Sequence, residues 1–313
     1  SVRRRRTCSG CRVRRLRILR GRSSEGCQID YGRDVMLGIL NIYKVGGMTS
    51  SDVVVKVKKI LKTRAVGHMG TLDPQGEGVL ILGVGKATRL FNYYLGKDKV
   101  YEAEFTFGEE RDTLDGEGSV IASGGRMPSK EEILQKLPLF TGEILQTPPL
   151  YSAKKVNGRK AYEIARSGET VELLPCKVNV YDFSLTDIEE NRIRVTIHCS
   201  AGTYIRSLCR DLAHSLGTYA IMTAIKRIRC GNFCINDSVR TEDLSENDIM
   251  SLKQALPELK VAAVDEKYYS YLLNGRKVPY GENGEFLVEC KGEVFGIGEG
   301  KAGELKVKVY MKE

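Results

Sequence analysis

VGHMGTLDPQGEGVLILGVGKATR, residues 66–89, decides how this chain folds. Val79, Leu80, Ile81 and Leu82 form an unbroken apolar run between glycines, the pattern of a central strand covered on both faces. Before it, Gly67 to Pro74 is a glycine-punctuated loop. Pro74 fixes its own φ and biases Asp73 towards an extended backbone, so the carboxylate is presented in a set direction. Behind Gly85, Ala87, Leu90, Phe91 and Tyr94 recur at helical spacing. An aspartate on a rigid loop at a strand edge can serve as acid, base or nucleophile, and it serves equally as the cap of a turn.

Outward from this stretch the chain alternates and repeats in recognisable periods. Ser50, Ser51 and Asp52 open a helix whose stripe is Val53, Val54, Val57, Ile60 and Leu61, with Lys56, Lys58, Lys59, Lys62 and Arg64 on and beyond the opposite face. Val100–Phe107 alternates strictly, with Tyr101, Ala103, Phe105 and Phe107 inward, and Arg192–Cys199 does the same. Ser129 and Glu132 make a capping box for Ile133, Leu134 and Leu137. Gly202-Thr203 opens a helix of Ile205, Leu208, Cys209, Leu212 and Leu216, ended by Gly217. Residues 241–256 are expected to form one further helix, with Pro257 just beyond. After Val261 come short alternating strands at 285–290, 293–297 and 304–310.

The formal charge of +9 suggests a polyanionic partner, but eight of those charges lie in residues 1–35, which hold eleven Arg, no Lys and three acids. Taken from totals of 49 basic and 40 acidic residues, this leaves 38 and 37, a nearly neutral body. Any phosphate-binding surface must therefore come from local clustering. One such cluster is Gln146–Gly168, where Lys154, Lys155, Arg159, Lys160 and Arg166 interleave with Tyr151 and Tyr162. Residues 1–35 lack periodicity and read as an extension outside the fold, with the protein proper starting at Met36; an arm on phosphates and an organellar presequence are the alternatives. Cys8, Cys11 and Cys27 lack a fourth ligand, and the other six cysteines have no convincing metal or disulfide spacing, which suits a reducing cytoplasm. The acids of Glu109–Gly118 lack the EF-hand spacing. No run of eighteen apolar residues exists.

Gly67-His68-x-Gly70-Thr71-Leu72-Asp73-Pro74-x-x-x-Gly78-Val79-Leu80 resembles the signature of the TruB-type tRNA pseudouridine-55 synthases, the stand-alone bacterial enzymes. Four further segments follow in that family's order or flank it: Gly38–Lys44 with Thr49-Ser50-Ser51, Asp112-Thr113-x-Asp115-x-x-Gly118, Pro148-Pro149-x-Tyr151–Lys155, and Gly202–Leu208.

The resemblance implies an α+β fold: a mixed, largely antiparallel catalytic sheet over 36–257, an insertion at about 146–168 that closes over the tRNA, and a small PUA-like β module over 258–313. It implies isomerisation of U55 in the T-loop, after base flipping, with no guide RNA, cofactor or metal. Asp73 would be the nucleophile, acting on either the base or the ribose. Arg206 would be its bidentate partner, and Tyr101 would stack on the base and handle protons. Tyr204 would support the pocket and Ile225 would wall it, in place of a family leucine. Lys44 would lie near it, His68 beside the displaced base, and Lys154 and Lys155 on the RNA. The expected partner is the tRNA T-arm, bound by a cytoplasmic monomer. A guide-dependent relative and a non-catalytic RNA-binding module on the same scaffold are the other readings.

Overall fold

A computed structural model describes residues 36–156, 158–169 and 172–312. The readings placed on residues 1–35 lie outside the described residues. The first sheet takes its strands from across the chain. They are β1 (Gly38–Lys44), β2 (Val66–His68), β3 (Glu77–Val84), β4 (Lys99–Phe107), β7 (Gly142–Gln146), β10 (Cys176–Glu189), β11 (Arg192–Cys199), β12 (Ala220–Cys230), β13 (Phe233–Cys234) and β14 (Val239–Arg240). Between them stand the hairpins β5 (Glu109–Arg111) with β6 (Val120–Ser123), and β8 (Lys155–Val156) with β9 (Arg159–Lys160). The order is β14-β1-β3-β12-β4-β11-β10-β7. Only β1–β14 and β3–β12 are parallel pairs, so the sheet is mixed and largely antiparallel.

β3 is central, as its apolar run requires. Val79 and Ile81 pack into one core with Ile39, Met69, Leu90 and Tyr94, while Leu80 and Leu82 pack into another with Leu40, Val53, Val57 and Leu61. Helix α1 (Ser50–Ile60) covers the second core. Thr49 caps it and Asp52 completes the capping box. Ile60, expected in the stripe, is exposed, because it lies past the edge of the buried arc. The segment after Gly85 begins as a 3-10 turn and becomes α2 (Phe91–Leu95), so Ala87, Leu90 and Tyr94 are buried and Phe91 is turned outward. Helices α3 (Lys130–Lys136) and α5 (Ile205–Ser215) cover the inward face of β4, β11 and β10, where Tyr101, Phe105, Val195 and Ile197 meet Leu208 and Leu212. On α3, Ile133 is buried and its neighbour Leu134 is exposed. A short helix, α4 (Ala161–Arg166), follows β9.

Residues 241–256 depart from expectation. They form a single 3-10 turn at Glu246–Asp248 and the four-residue α6 (Leu252–Ala255) instead of one helix. Ser245 and Ser251 each start a new capping box, and the bridge between Met250 and Ile39 needs extended backbone between the two turns.

The second sheet comprises β15 (Lys260–Ala263), β16 (Val278–Pro279), β17 (Gly284–Cys290), β18 (Glu293–Lys301) and β19 (Glu304–Tyr310), ordered β15-β17-β18-β19-β16, with α7 (Tyr269–Leu273) against it. This curled five-stranded module is compatible with a PUA-like fold. Leu287, Ile297 and Met311 join the core that holds Ile39, Met69 and Val79. Among the described residues no helix is long and apolar enough to cross a membrane.

At Gly78 the parallel pair β3–β12 comes close: φ is +99°, and a Cβ there would lie 2.3 Å from the Arg227 carbonyl oxygen. Only glycine serves both requirements. Gly78→Ala is expected to destabilise the protein by about 2–4 kcal/mol through backbone strain and overpacking, read as a lower urea midpoint at unchanged slope.

Candidate active site

Asp73 lies on the loop from β2 to β3, and side chains hold that loop by its backbone. The Lys44 ammonium, wholly buried at the end of β1, donates to the carbonyls of Val45 (3.1 Å), Pro74 (2.8 Å) and Gly76 (2.6 Å). Burial pushes its pKa down to about 8. Ser50 Oγ exchanges hydrogen bonds with the N–H and C=O of Leu72, both at 3.0 Å. From β12, Arg227 donates through Nε to Val79 O (2.7 Å), through Nη1 to Thr71 O (3.2 Å) and through Nη2 to Gly70 O (3.4 Å). Two buried cations and one hydroxyl therefore fix the backbone on both sides of Asp73.

The carboxylate is fixed separately. Arg206, buried in the first turn of α5, meets it as a fork, Nε to Oδ2 at 3.0 Å and Nη2 to Oδ1 at 3.1 Å. A cation at a helix N-terminus is opposed by the dipole, and here acceptors from three loops offset that cost. Nη1 reaches Thr113 O (3.0 Å) and Asp115 Oδ2 (3.3 Å), and Nη2 also reaches Tyr151 O (3.2 Å). In the acidic loop, Asp112 and Asp115 accept backbone N–H groups of the turn, from Ser119 and Glu117. Among the described residues no group of acids, histidines and cysteines could hold a metal ion.

Beside Asp73 opens a cavity of about 750 Å³, walled by Tyr101, Tyr204, Ile225 and Met222 and bordered by Lys99 and Lys154. Burial pushes the Tyr101 phenol up to about 12, with Arg227 pulling the other way. Tyr204 is the N-cap residue of α5. Its N–H donates to Gln146 Oε1 (2.8 Å), and its carbonyl accepts from Gln146 Nε2 (3.1 Å). A second opening, of about 870 Å³, also reaches Asp73, but it is lined by Glu77, Glu102, Glu104, Asp115 and Glu117. Asp73, Tyr101, Tyr204, Arg206 and Ile225 thus come together around the first cavity.

Other expected residues stand apart. Lys44 supports the loop from behind, outside both cavity walls. His68 is half-buried in β2, outside the cavity lining, with Nδ1 buried and unbonded; burial, then Arg227 and Lys160, lower its pKa. Lys154 is at the cavity rim, donating to Leu174 O (3.3 Å) and Cys176 Sγ (2.7 Å), whereas Lys155 is exposed at the start of β8. Sequence reasoning missed Arg227, Asp115's bond to Arg206, Ser50 and Gln146. Arg227 had a signal: it is two residues from Ile225 on a strand, so period two puts both on one face.

Two family models match this chain, the TruB family pseudouridylate synthase N-terminal domain over residues 58–205 and the tRNA pseudouridylate synthase B C-terminal domain over 206–262. A tRNA pseudouridine synthase B of Clostridium acetobutylicum is 43% identical over 247 residues, covering 78% of this chain and 86% of that protein. One from Clostridium perfringens is 40% identical over 279 residues, covering 84% and 95%. Among solved structures, an H/ACA RNP bound to a substrate RNA containing 2′-deoxyuridine matches with TM-score 0.66 at 21% identity, covering 89% of this chain and 86% of that one. A Cbf5–Nop10–Gar1 complex matches with TM-score 0.65 at 24%, covering 88% and 84%. At these identities the solved structures establish likeness of fold.

Arg206→Lys keeps a cation but cannot span two carboxylate oxygens and three loops. Amide exchange at 71–76 and 112–118 is expected to quicken at least about tenfold, with the second sheet unchanged, measured by hydrogen–deuterium exchange.

Proposed function

The chain belongs to the TruB family of pseudouridylate synthases, and on that premise we propose that it converts uridine 55 in the T-loop of tRNA to pseudouridine, without guide RNA or cofactor. The tRNA substrate is taken from the names of its relatives, and the position from the motifs around Asp73. The observation that carries the reading is the Asp73 carboxylate itself. It is about one-third exposed, at 34%, and gripped by the Arg206 fork beside a cavity with an aromatic and an apolar wall.

The target base leaves its stack and enters that cavity, with Tyr101 against its face and Ile225 behind it. Asp73 attacks the base or the ribose as nucleophile, the C1′–N1 bond breaks, and the uracil turns. C5 then bonds to C1′, the bond to Asp73 breaks, and C5 gives up its proton while N1 takes one up, so the product is an isomer of the uridine. Arg206 keeps the carboxylate ionised and aimed throughout. Tyr101, buried and protonated at neutral pH, is suited to donate or relay a proton. Tyr204, tied to Gln146, supports the wall, and His68 fills the space that the base vacates. The rim Lys154 and the exposed Lys155 contact RNA phosphates, the insertion closes over the T-arm, and the terminal module adds RNA contacts. The protein acts as a cytoplasmic monomer, divided at about residue 257 into catalytic and PUA-like parts.

The deciding assay is pseudouridine formation in a T-arm transcript with no guide or cofactor added; no product from the wild-type protein would overturn the reading. Asp73→Asn is expected to abolish product while tRNA affinity stays within about tenfold, roughly 1.4 kcal/mol. Turnover by this variant, free of wild-type protein, would remove Asp73 as nucleophile. Deleting residues 1–35 is expected to leave the single-turnover rate within about tenfold at about 150 mM salt, where screening acts over about 8 Å. A larger drop would make that segment part of the enzyme.

A further inference from the structure

Arg227 is more deeply buried than Arg206, at 3% against 7% exposure, yet none of the ion pairs among the described residues includes it. Its hydrogen bonds to the backbone go to neutral carbonyls, those of Gly70, Thr71 and Val79. Facing it are Lys44 from β1, His68 from β2, and Lys99 and Tyr101 from β4, all cationic or neutral at pH 7, with the Asp73 carboxylate on the same cavity wall. It borders the cavity together with Tyr101 and Ile225. A buried guanidinium without a counter-charge is costly, because carbonyl dipoles only partly replace its hydration. Holding the loop does not by itself require a charge, since neutral donors can bond carbonyls. Lys99, buried on the same wall, likewise bonds only carbonyls, those of Leu95 and Lys97. The Asp73 carboxylate, by contrast, is already matched by Arg206. Among the described residues neither Arg227 nor Lys99 forms an ion pair, so this wall of the cavity carries two cations bonded only to neutral groups.

We propose that Arg227 is the electrostatic partner of the reacting base, its charge offsetting the negative charge that the uracil ring acquires during isomerisation. This rests on the function proposed above and deepens it at the same site. The charge arises by either route open to Asp73. If the carboxylate takes C1′, the electron pair of the C1′–N1 bond stays with the ring, spread over O2 and O4. If it adds to C6, the pair of the C5–C6 double bond moves towards O4. In both cases a neutral base becomes an anion, and that pair later forms the C5–C1′ bond as the C5 proton leaves. A fixed cation on a wall from which the entering base displaces water favours the anion over the neutral base, a difference expressed only during reaction. Arginine suits the position because it keeps its proton at every working pH, whereas burial brings a lysine's pKa down towards neutrality, as at Lys44.

The test uses the full chain and a T-arm transcript under single-turnover conditions, with Arg227→Gln and Arg227→Lys compared with wild type by rate, RNA affinity and melting temperature. Arg227→Gln keeps a donor without the charge, and its rate is expected to fall more than about 100-fold with affinity within about threefold. Arg227→Lys keeps the charge only while protonated. It is expected to run within about tenfold of wild type near pH 6.5, and to lose further ground, relative to wild type at the same pH, as pH rises past about 8. A solely structural role would not produce that pH-dependent ratio. A glutamine variant within about tenfold of wild type would overturn the inference. So would a lysine variant whose deficit is the same at every pH. If the glutamine variant does not fold, the lysine profile decides. A wild-type protein that makes no pseudouridine would instead overturn the reading on which the inference stands.

Discussion

A buried positive charge must find acceptors, and most of this site's geometry follows from where Arg206, Arg227 and Lys44 find theirs. The loop that carries Asp73 forms few regular backbone hydrogen bonds of its own; one joins Gly76 N–H to Asp73 O at 2.9 Å. Its carbonyls instead accept from ammonium and guanidinium groups anchored in β1 and β12, which are flanking elements of the same sheet. The carboxylate is then oriented from a third direction by α5. Each cation would be costly to bury alone, and loop carbonyls such as those of Gly70 and Thr71 would lose the partner it supplies. Together they make a rigid frame around a group that stays partly open to its reactant.

The same bookkeeping explains why overall charge says little about RNA binding here. The body outside the first 35 residues is nearly neutral in sequence, yet the two openings that meet at Asp73 differ sharply in sign. One is bordered by Lys99, Lys154, Arg206 and Arg227; in the other, acids including Glu77, Glu102, Glu104 and Glu117 outnumber Arg194 and Lys226. A phosphodiester chain is drawn to the first and repelled by the second, so local arrangement sets the direction of approach.

Much of this was legible in the sequence where a period or a cap carried the signal. The run Val79–Leu82 announced a strand covered on both faces, and the alternation in Val100–Phe107 put Tyr101 inward with Ala103 and Phe105. The Asp73–Arg206 pairing came only from resemblance, because residues 133 positions apart have no local pattern in common. The expected helix over 241–256 failed for a tertiary reason: the contact of Met250 with Ile39 holds extended a stretch whose composition suits a helix. Lys44 and Arg227 were hard to recognise because a buried cation bonded to backbone carbonyls has no partner type to search for. The structure gives Lys44 a supporting role behind the loop, where family likeness had suggested only proximity to the pocket.

Met69, one residue before the glycine whose carbonyl Arg227 holds, is buried in the core that also contains Leu287, Ile297 and Met311 of the second sheet. The terminal strands, which also have a core of their own around Phe286, Phe295 and Leu305, are therefore packed directly onto the first sheet. Opening them would expose the face of β3 that carries Val79 and Ile81, and would loosen the packing behind the Asp73 loop. Protease cleavage near the carboxyl terminus and loss of order at the Asp73 loop become linked events, and the stability of the last fifty residues sets a ceiling on how long that loop keeps its order.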